Sequence, residues 1–271
     1  MIKKYNKLVR RKGLAGLDTA IILIAFVITA AVLAFVAINM GLFVTQKAKT
    51  TISKVEETAS TALQLSGDIL YATNFPNNTQ SYWIYFTVSP SSGIASVPLS
   101  PATTSISFEA SALGISYSNI YVYTLLNYTK SPYLLSQTSG GRTYYYYTSP
   151  YAAMLALSTA PGGSQYISIS TTKPASGNYF TFNYSGTEYY AQVLTPNPIA
   201  ITFPVAGDPL VGSDIAPAGS TIGVLILFPS THPMPVFEYQ TITIQITPDI
   251  GSPLTISEYV YQPTGNVSVI G

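Results

Sequence analysis

The chain has no cysteine, one histidine and one tryptophan in 271 residues. Without cysteine there are no disulfide staples and no thiolate metal sites, so stability must come from packing and hydrogen bonds. His232, in the turn-like Thr231-His232-Pro233, offers poor ground for a catalytic triad or an imidazole-rich metal site. Charge is scarce too: Asp, Glu, Lys and Arg make up 8%, against about a quarter in an average protein. Beyond Lys54 the only positive residues are Lys130, Arg142 and Lys173, so no basic patch exists there for nucleic acid. Asp208 and Asp214 flank a Pro/Gly-rich loop where Ca²⁺ has conceivable ligands, but solvated loop acids are the simpler account. Neither an enzyme nor a cofactor-binding or metal-binding protein is expected. A surface of Ser, Thr, Asn and 22 Tyr would change little in charge at low pH, which suits an acidic or hot setting.

The chain is rich in apolar length at one end. Six positive residues (Lys3, Lys4, Lys7, Arg10, Arg11 and Lys12) lead to Gly13-Leu14, and Thr19 to Val44 then runs 26 residues without a charge. At helical rise that run is roughly 39 Å long, enough to cross a hydrocarbon core of about 30 Å. The six positives before it outweigh Lys47, Lys49 and Lys54 after it, which leaves the leader cytoplasmic and the rest of the chain outside. A secretory signal peptide is cut after its apolar core, whereas here the basic leader stops before it. Cutting between Gly13 and Leu14 keeps the apolar segment as the new N-terminus. It leaves six positives against eleven acids, a net charge of −5.

Ala30, Ala34, Ala37 and Gly41 recur at steps of four, three and four, and so share a helix face on which another backbone can approach closely. Helical spacing continues through Ala48, Ile52, Val55, Ala59, Ala62 and Leu63 towards Leu70, with charges interspersed. The pattern predicts one helix over residues 14–70, apolar all round at first and amphipathic later. A bundle accounts for that better than a lone anchor.

From about Phe75 onward, Pro, Gly, Ser and Thr clusters separate short β-branched and aromatic runs. Strands are expected at Tyr82–Val88, Ile115–Leu126, Tyr144–Tyr147, Ile167–Thr171, Tyr179–Tyr184, Glu188–Leu194 and Ile222–Phe228. Another is expected around Ile242, Ile244 and Ile246, and a hairpin turn at Asn183–Thr187. Ser149–Ala160 reads as a short helix or a loop. Residues 71–271 are thus expected to form one extracellular immunoglobulin-like β-sandwich. The Tyr144–Tyr147 run suits sugar stacking, yet alternating strand faces explain it without a ligand.

The segment Arg10-Arg11-Lys12-Gly13-Leu14-Ala15-Gly16-Leu17-Asp18, followed by the apolar helix, resembles the class III signal of type IV pilin-like proteins. The stretch from Gly13 to Ser66 is similar to crenarchaeal archaellins, the subunits of the archaeal flagellar filament. The resemblance is strong over about a fifth of the chain. It implies cleavage by a prepilin peptidase between Gly13 and Leu14 and transient residence in the cytoplasmic membrane. It also implies extraction by an ATP-driven assembly platform and homopolymerisation into an extracellular fibre rotated for swimming, with the helices as core and the β-domain as outer wall. Cleavage would make Asp18 the fifth mature residue, where many type IV pilins carry Glu and many archaellins carry no acid. Asp18 either pairs with the freed ammonium of Leu14 or caps the helix start. Asn77, Asn127, Asn183 and Asn266 begin Asn-x-Ser/Thr sequons, which the external location and the resemblance mark as N-glycosylation candidates. Asn183 is expected at a hairpin tip. A non-rotating adhesion pilus and a membrane-anchored surface binding protein, for sugars among other ligands, are the alternatives.

Overall fold

The computed structural model describes residues 11–59, 62–74, 76–77, 79–207 and 212–270. The chain divides into two compact units, Met1–Glu56 and Glu57–Gly271. The described residues of the first belong to a single α-helix, Arg11–Ala59, of 49 residues. Its Ala and Leu content and the lack of proline favour the helical state. The helix stops short of the expected residue 70. Leu63–Leu65 is a strand paired with Val88–Pro90, and Ile69–Thr73 is a second strand. Gly67 between them has φ +126°, a value closed to a helix and disfavoured for any side chain.

The second unit is built on a seven-stranded sheet. Its order is Val267–Ile270, Ile69–Thr73, Ser81–Pro90, Thr221–Leu227, Ile199–Ala206 and Tyr121–Thr124, with Leu63–Leu65 also on Ser81–Pro90. Neighbours are antiparallel except Tyr121–Thr124, which runs parallel to Ile199–Ala206. Both faces of this sheet are buried. Ile84, Phe86, Val88, Ile222, Val224 and Ile226 join one apolar cluster, shared with Ile106, Phe108, Ile242, Ile244 and Ile246 of a four-stranded sheet. Trp83, Phe203, Leu225 and Leu227 join a second cluster with the helix Pro150–Thr159 and the three-stranded sheet carrying Phe180, Phe182 and Ala191. A β-rich domain follows the helix, as expected. Its third layer and second core go beyond a two-layer, immunoglobulin-like sandwich.

Local chemistry explains several departures from the expected strands. Ile115–Leu126 is divided into Ile115–Tyr117 and Tyr121–Thr124, which lie in different sheets. Asn119 sits at the break, its Oδ1 accepting the Tyr121 N–H at 3.1 Å, a turn bond that competes with the strand ladder. Ser149–Ala160 resolves as helix: Ser149 caps it by accepting the Ala152 N–H at 3.2 Å, and Pro150 opens the first turn. Ala152 through Leu157 are all buried, which is why this segment shows no amphipathic period.

Gly223 faces the Phe203 ring across the sheet, and a Cβ there would lie 2.6 Å from its Cζ. Gly223→Ala should therefore destabilise this unit by about 1–3 kcal/mol through overpacking. Denaturant melts of the two proteins, compared at equal m-value, check this.

Two phenol networks stitch the core. The Tyr71 hydroxyl accepts the Phe237 N–H at 3.0 Å and meets Ser81, whose Oγ donates to the Pro235 carbonyl at 2.6 Å. The Tyr121 hydroxyl reaches the Leu99 carbonyl and Thr202 Oγ1 at 2.7 Å, and Thr202 bonds Thr124 Oγ1 at 2.9 Å. Burial disfavours the charged phenolate and so weakens these phenols as acids: the pKa values of Tyr71 and of the half-buried Tyr85 are pushed up to about 12, and that of Tyr121 is raised as well. An unfolded tyrosine ionises near pH 10. Between pH about 10 and 12 the unfolded chain thus binds fewer protons, and stability falls as pH rises. The melting temperature of Glu57–Gly271 should change little, for these groups, up to pH about 10 and drop steeply towards 12.

Candidate polymerisation surface

The N-terminal helix is about 73 Å long at 1.5 Å per residue. Every residue from Gly16 to Ile52 is exposed, and the most apolar window of this stretch has a mean hydropathy of 3.1. Large apolar residues point in all directions, from Leu17, Ile21 and Ile22 through Phe26, Phe35 and Phe43; Phe26 is 73% exposed and Val36 51%. A helix apolar on every side is stable only where surrounded by lipid or by other helices.

Polar groups on the helix turn inwards to their own backbone. Thr29 donates to the Ala25 carbonyl at 3.0 Å and Thr45 to Gly41 at 2.8 Å. Thr50 and Thr51 donate to Gln46 and Lys47 at 3.0 and 2.9 Å. Hydroxyls satisfied this way carry no free donor into an apolar environment.

Ala30, Ala34, Ala37 and Gly41 fall on one face of this helix, and all are exposed. A Cβ at Gly41 would meet nothing within 4 Å. Nothing in the chain's own fold requires that glycine, although an interior glycine costs about 1 kcal/mol relative to alanine. Gly13 and Leu14 lie within the helix, and residues 1–10 of the leader lie outside the described residues. Asp18 is exposed and stands beyond the first turn, because the helix is already formed at Arg11. In the uncut chain Asp18 is therefore not the helix cap.

The sequon asparagines are all exposed. Asn77 and Asn127 lie in turns, and Asn266 precedes the strand Val267–Ile270. Asn183 is on the strand Phe180–Tyr184 opposite Glu188, not at the hairpin tip. The tip is Ser185-Gly186, both at positive φ (50° and 81°), a two-residue turn that leaves no room for Asn183 in it. Asp208 lies outside the described residues; the Asp214 carbonyl accepts the Leu99 N–H at 2.6 Å. Among the described residues no three His, Cys, Asp or Glu side chains gather to hold a metal. His232 Nδ1 lies 3.3 Å from Thr231 Oγ1. Tyr144–Tyr146 lie on the largely exposed hairpin strand Arg142–Tyr146, whereas Tyr147 is buried. Sequence reasoning missed an aromatic cleft of about 300 Å³ lined by Tyr82, Trp83, Tyr151, Tyr179 and Asn266.

A bare apolar helix joined to a β-rich domain with its own cores defines a subunit of a helix-packed assembly. The chain belongs to the archaeal-type flagellin family, whose model matches residues 13–258. It is 60% identical to flagellin FlaB2 of Saccharolobus shibatae over an alignment covering the whole chain and 98% of that protein. A probable flagellin 1 of Aeropyrum pernix is 54% identical over 61 residues, 22% of this chain and 30% of the relative. Among solved structures, the flagellum of Methanospirillum hungatei aligns over 94% of this chain and 98% of its own (18% identity, TM-score 0.38). Flagellin FlaB1 of Methanocaldococcus jannaschii aligns over 77% and 95% (12% identity, TM-score 0.44). The chain is a structural subunit of an archaeal flagellar filament.

Proposed function

We propose that the chain polymerises through its N-terminal helix into a homopolymeric extracellular fibre that transmits torque for swimming. The observation that carries this reading is the unbroken exposure of Gly16–Ile52. Eighteen large apolar side chains between Leu14 and Val44 cannot remain in water; at about 1.5–3 kcal/mol each, exposure would cost tens of kcal/mol as an upper estimate. Lipid shields them before assembly, so passage from bilayer to helix bundle gains little hydrophobic free energy. An ATP-driven platform can then move subunits in either direction of a near-balanced step, while escape into water stays closed.

Release from the membrane requires loss of the basic leader, which we assign to a prepilin peptidase cutting between Gly13 and Leu14. The new ammonium of Leu14 would lie four residues, about one helical turn, from Asp18, within the same subunit or across to a neighbour. Asp18→Ala should therefore be processed normally yet assemble poorly. Immunoblots showing a cleaved product alongside at least tenfold fewer sheared filaments would agree; wild-type filament yield would discard the pairing. N-terminal sequencing of purified surface fibres tests the whole reading. A mature chain starting at Leu14 is expected, and fibres retaining Met1 would refute it. Asn77, Asn127, Asn183 and Asn266 are proposed glycan sites, since all four are exposed; unmodified masses for the intact subunit would remove them.

A further inference from the structure

Between Gly16 and Ile52 two side-chain amides, Asn39 and Gln46, form no hydrogen bond among the described residues, whereas Thr29, Thr45, Thr50 and Thr51 are satisfied by the helix's own carbonyls. Asn39 is the more exacting of the two. It sits among Phe35, Val36, Leu42 and Phe43, its neighbours at three and four residues' spacing, each large, apolar and exposed. Gln46 follows seven residues later, about two turns along the same face, and adjoins Lys47, where the charge-free run has ended. A carboxamide carries two donors and an acceptor with two lone pairs. In an apolar bundle all of these need partners, and lipid tails offer none.

We propose that Asn39 sets the axial register of the filament: its carboxamide hydrogen-bonds across the subunit boundary to an amide or main-chain carbonyl of a second copy. The inference rests on the polymer reading above and is continuous with its interface. A second copy is the favoured occupant, because it brings the same amide at the same depth on an otherwise matching apolar surface. The surrounding side chains by themselves specify little. A slip of one helix along another by a turn, about 5.4 Å, exchanges one large apolar contact for another. The amide breaks that degeneracy, since a slip that sets it against Phe35 or Phe43 of the neighbour leaves its donors unpaired. A lone Asn in an apolar seam fixes register in coiled coils by the same physics.

The test uses full-length subunits assembled into filaments, with rise and twist measured by image reconstruction for wild type, Asn39→Leu and Asn39→Gln. Filaments from the wild-type chain test the polymer reading first, and their absence would sink that reading rather than this one. The Leu side chain nearly matches Asn in size and lacks the amide. Its filaments should lose the single helical lattice, showing mixed rise and twist, or should fail to form. The Gln variant keeps the amide and should restore one lattice. Leu filaments with wild-type rise and twist would overturn the proposal. So would Gln filaments as heterogeneous, or as absent, as those of the Leu variant.

Discussion

Glu57–Gly271 expressed without the helix should be a soluble monomer that unfolds in a sharp thermal transition, whereas Leu14–Gly271 should need detergent. The expectation follows from where apolar surface is buried. The β-rich unit closes two cores of its own, around Phe86, Phe108 and Ile244 on one face of the central sheet and Trp83, Phe203 and Leu157 on the other. None of those groups belongs to the helix, and helix residues Gly16–Ile52 contribute no buried position. The cut must fall before Ala62. Ala62 and Leu63 are fully buried, and the Ala62 carbonyl accepts the Ser91 N–H at 3.0 Å. A fragment starting at Ile69 should accordingly lose the Leu63–Leu65 strand and melt lower. Size-exclusion chromatography and circular dichroism on the three fragments decide it; an aggregated Glu57–Gly271 would show that the helix is part of the domain's folding unit.

The second large effect concerns charge in the helix. Val36→Asp places a carboxylate well inside the charge-free run, about two thirds of the way along it, on a residue now 51% exposed. A carboxylate at the centre of an apolar span costs about 2.5–3.5 kcal/mol on insertion scales, roughly a hundredfold in an equilibrium constant. In a polymer every subunit carries it, with no cation nearby to pair with: the nearest basic residue, Lys47, is eleven positions away. Filament yield per cell should fall at least a hundredfold. Ser136→Asp, on an exposed strand of the β-rich unit, is the control and should leave yield unchanged. Wild-type yield from Val36→Asp would mean that this face of the helix meets water in the filament.

The helix was legible because hydropathy over Thr19–Val44 needs no tertiary information. Its end was not. Leu63 and Leu70 satisfy a helical spacing as readily as they satisfy strands, and the decision rests on Gly67 and on pairing with Val88–Pro90, a long-range partner. Alternation in Ile242, Ile244 and Ile246 gave away a sheet with one wet face. The run Ile222–Leu227 lacks alternation because residues on both of its faces are buried, and such a run announces burial without saying how many layers supply it. That ambiguity hid the second core. The same uniformity keeps the pattern of Ser149–Ala160 from deciding between helix and loop, since the Pro150–Thr159 helix is buried nearly all round. At the site, the small-residue face was visible from spacing alone. The unsatisfied amide of Asn39, a condition shared only with Gln46 at the end of the charge-free run, was not, since it emerges only when Thr29, Thr45, Thr50 and Thr51 are seen bonded to their own turns.

Because the chain contains no cysteine, a single Val36→Cys substitution provides a unique probe of the helix in purified, lipid-free filaments. Burial among helices of other copies predicts that a water-soluble maleimide leaves the introduced thiol unlabelled until the filaments are dissolved in denaturant. Labelling of intact filaments at the rate seen for the unfolded chain would contradict it.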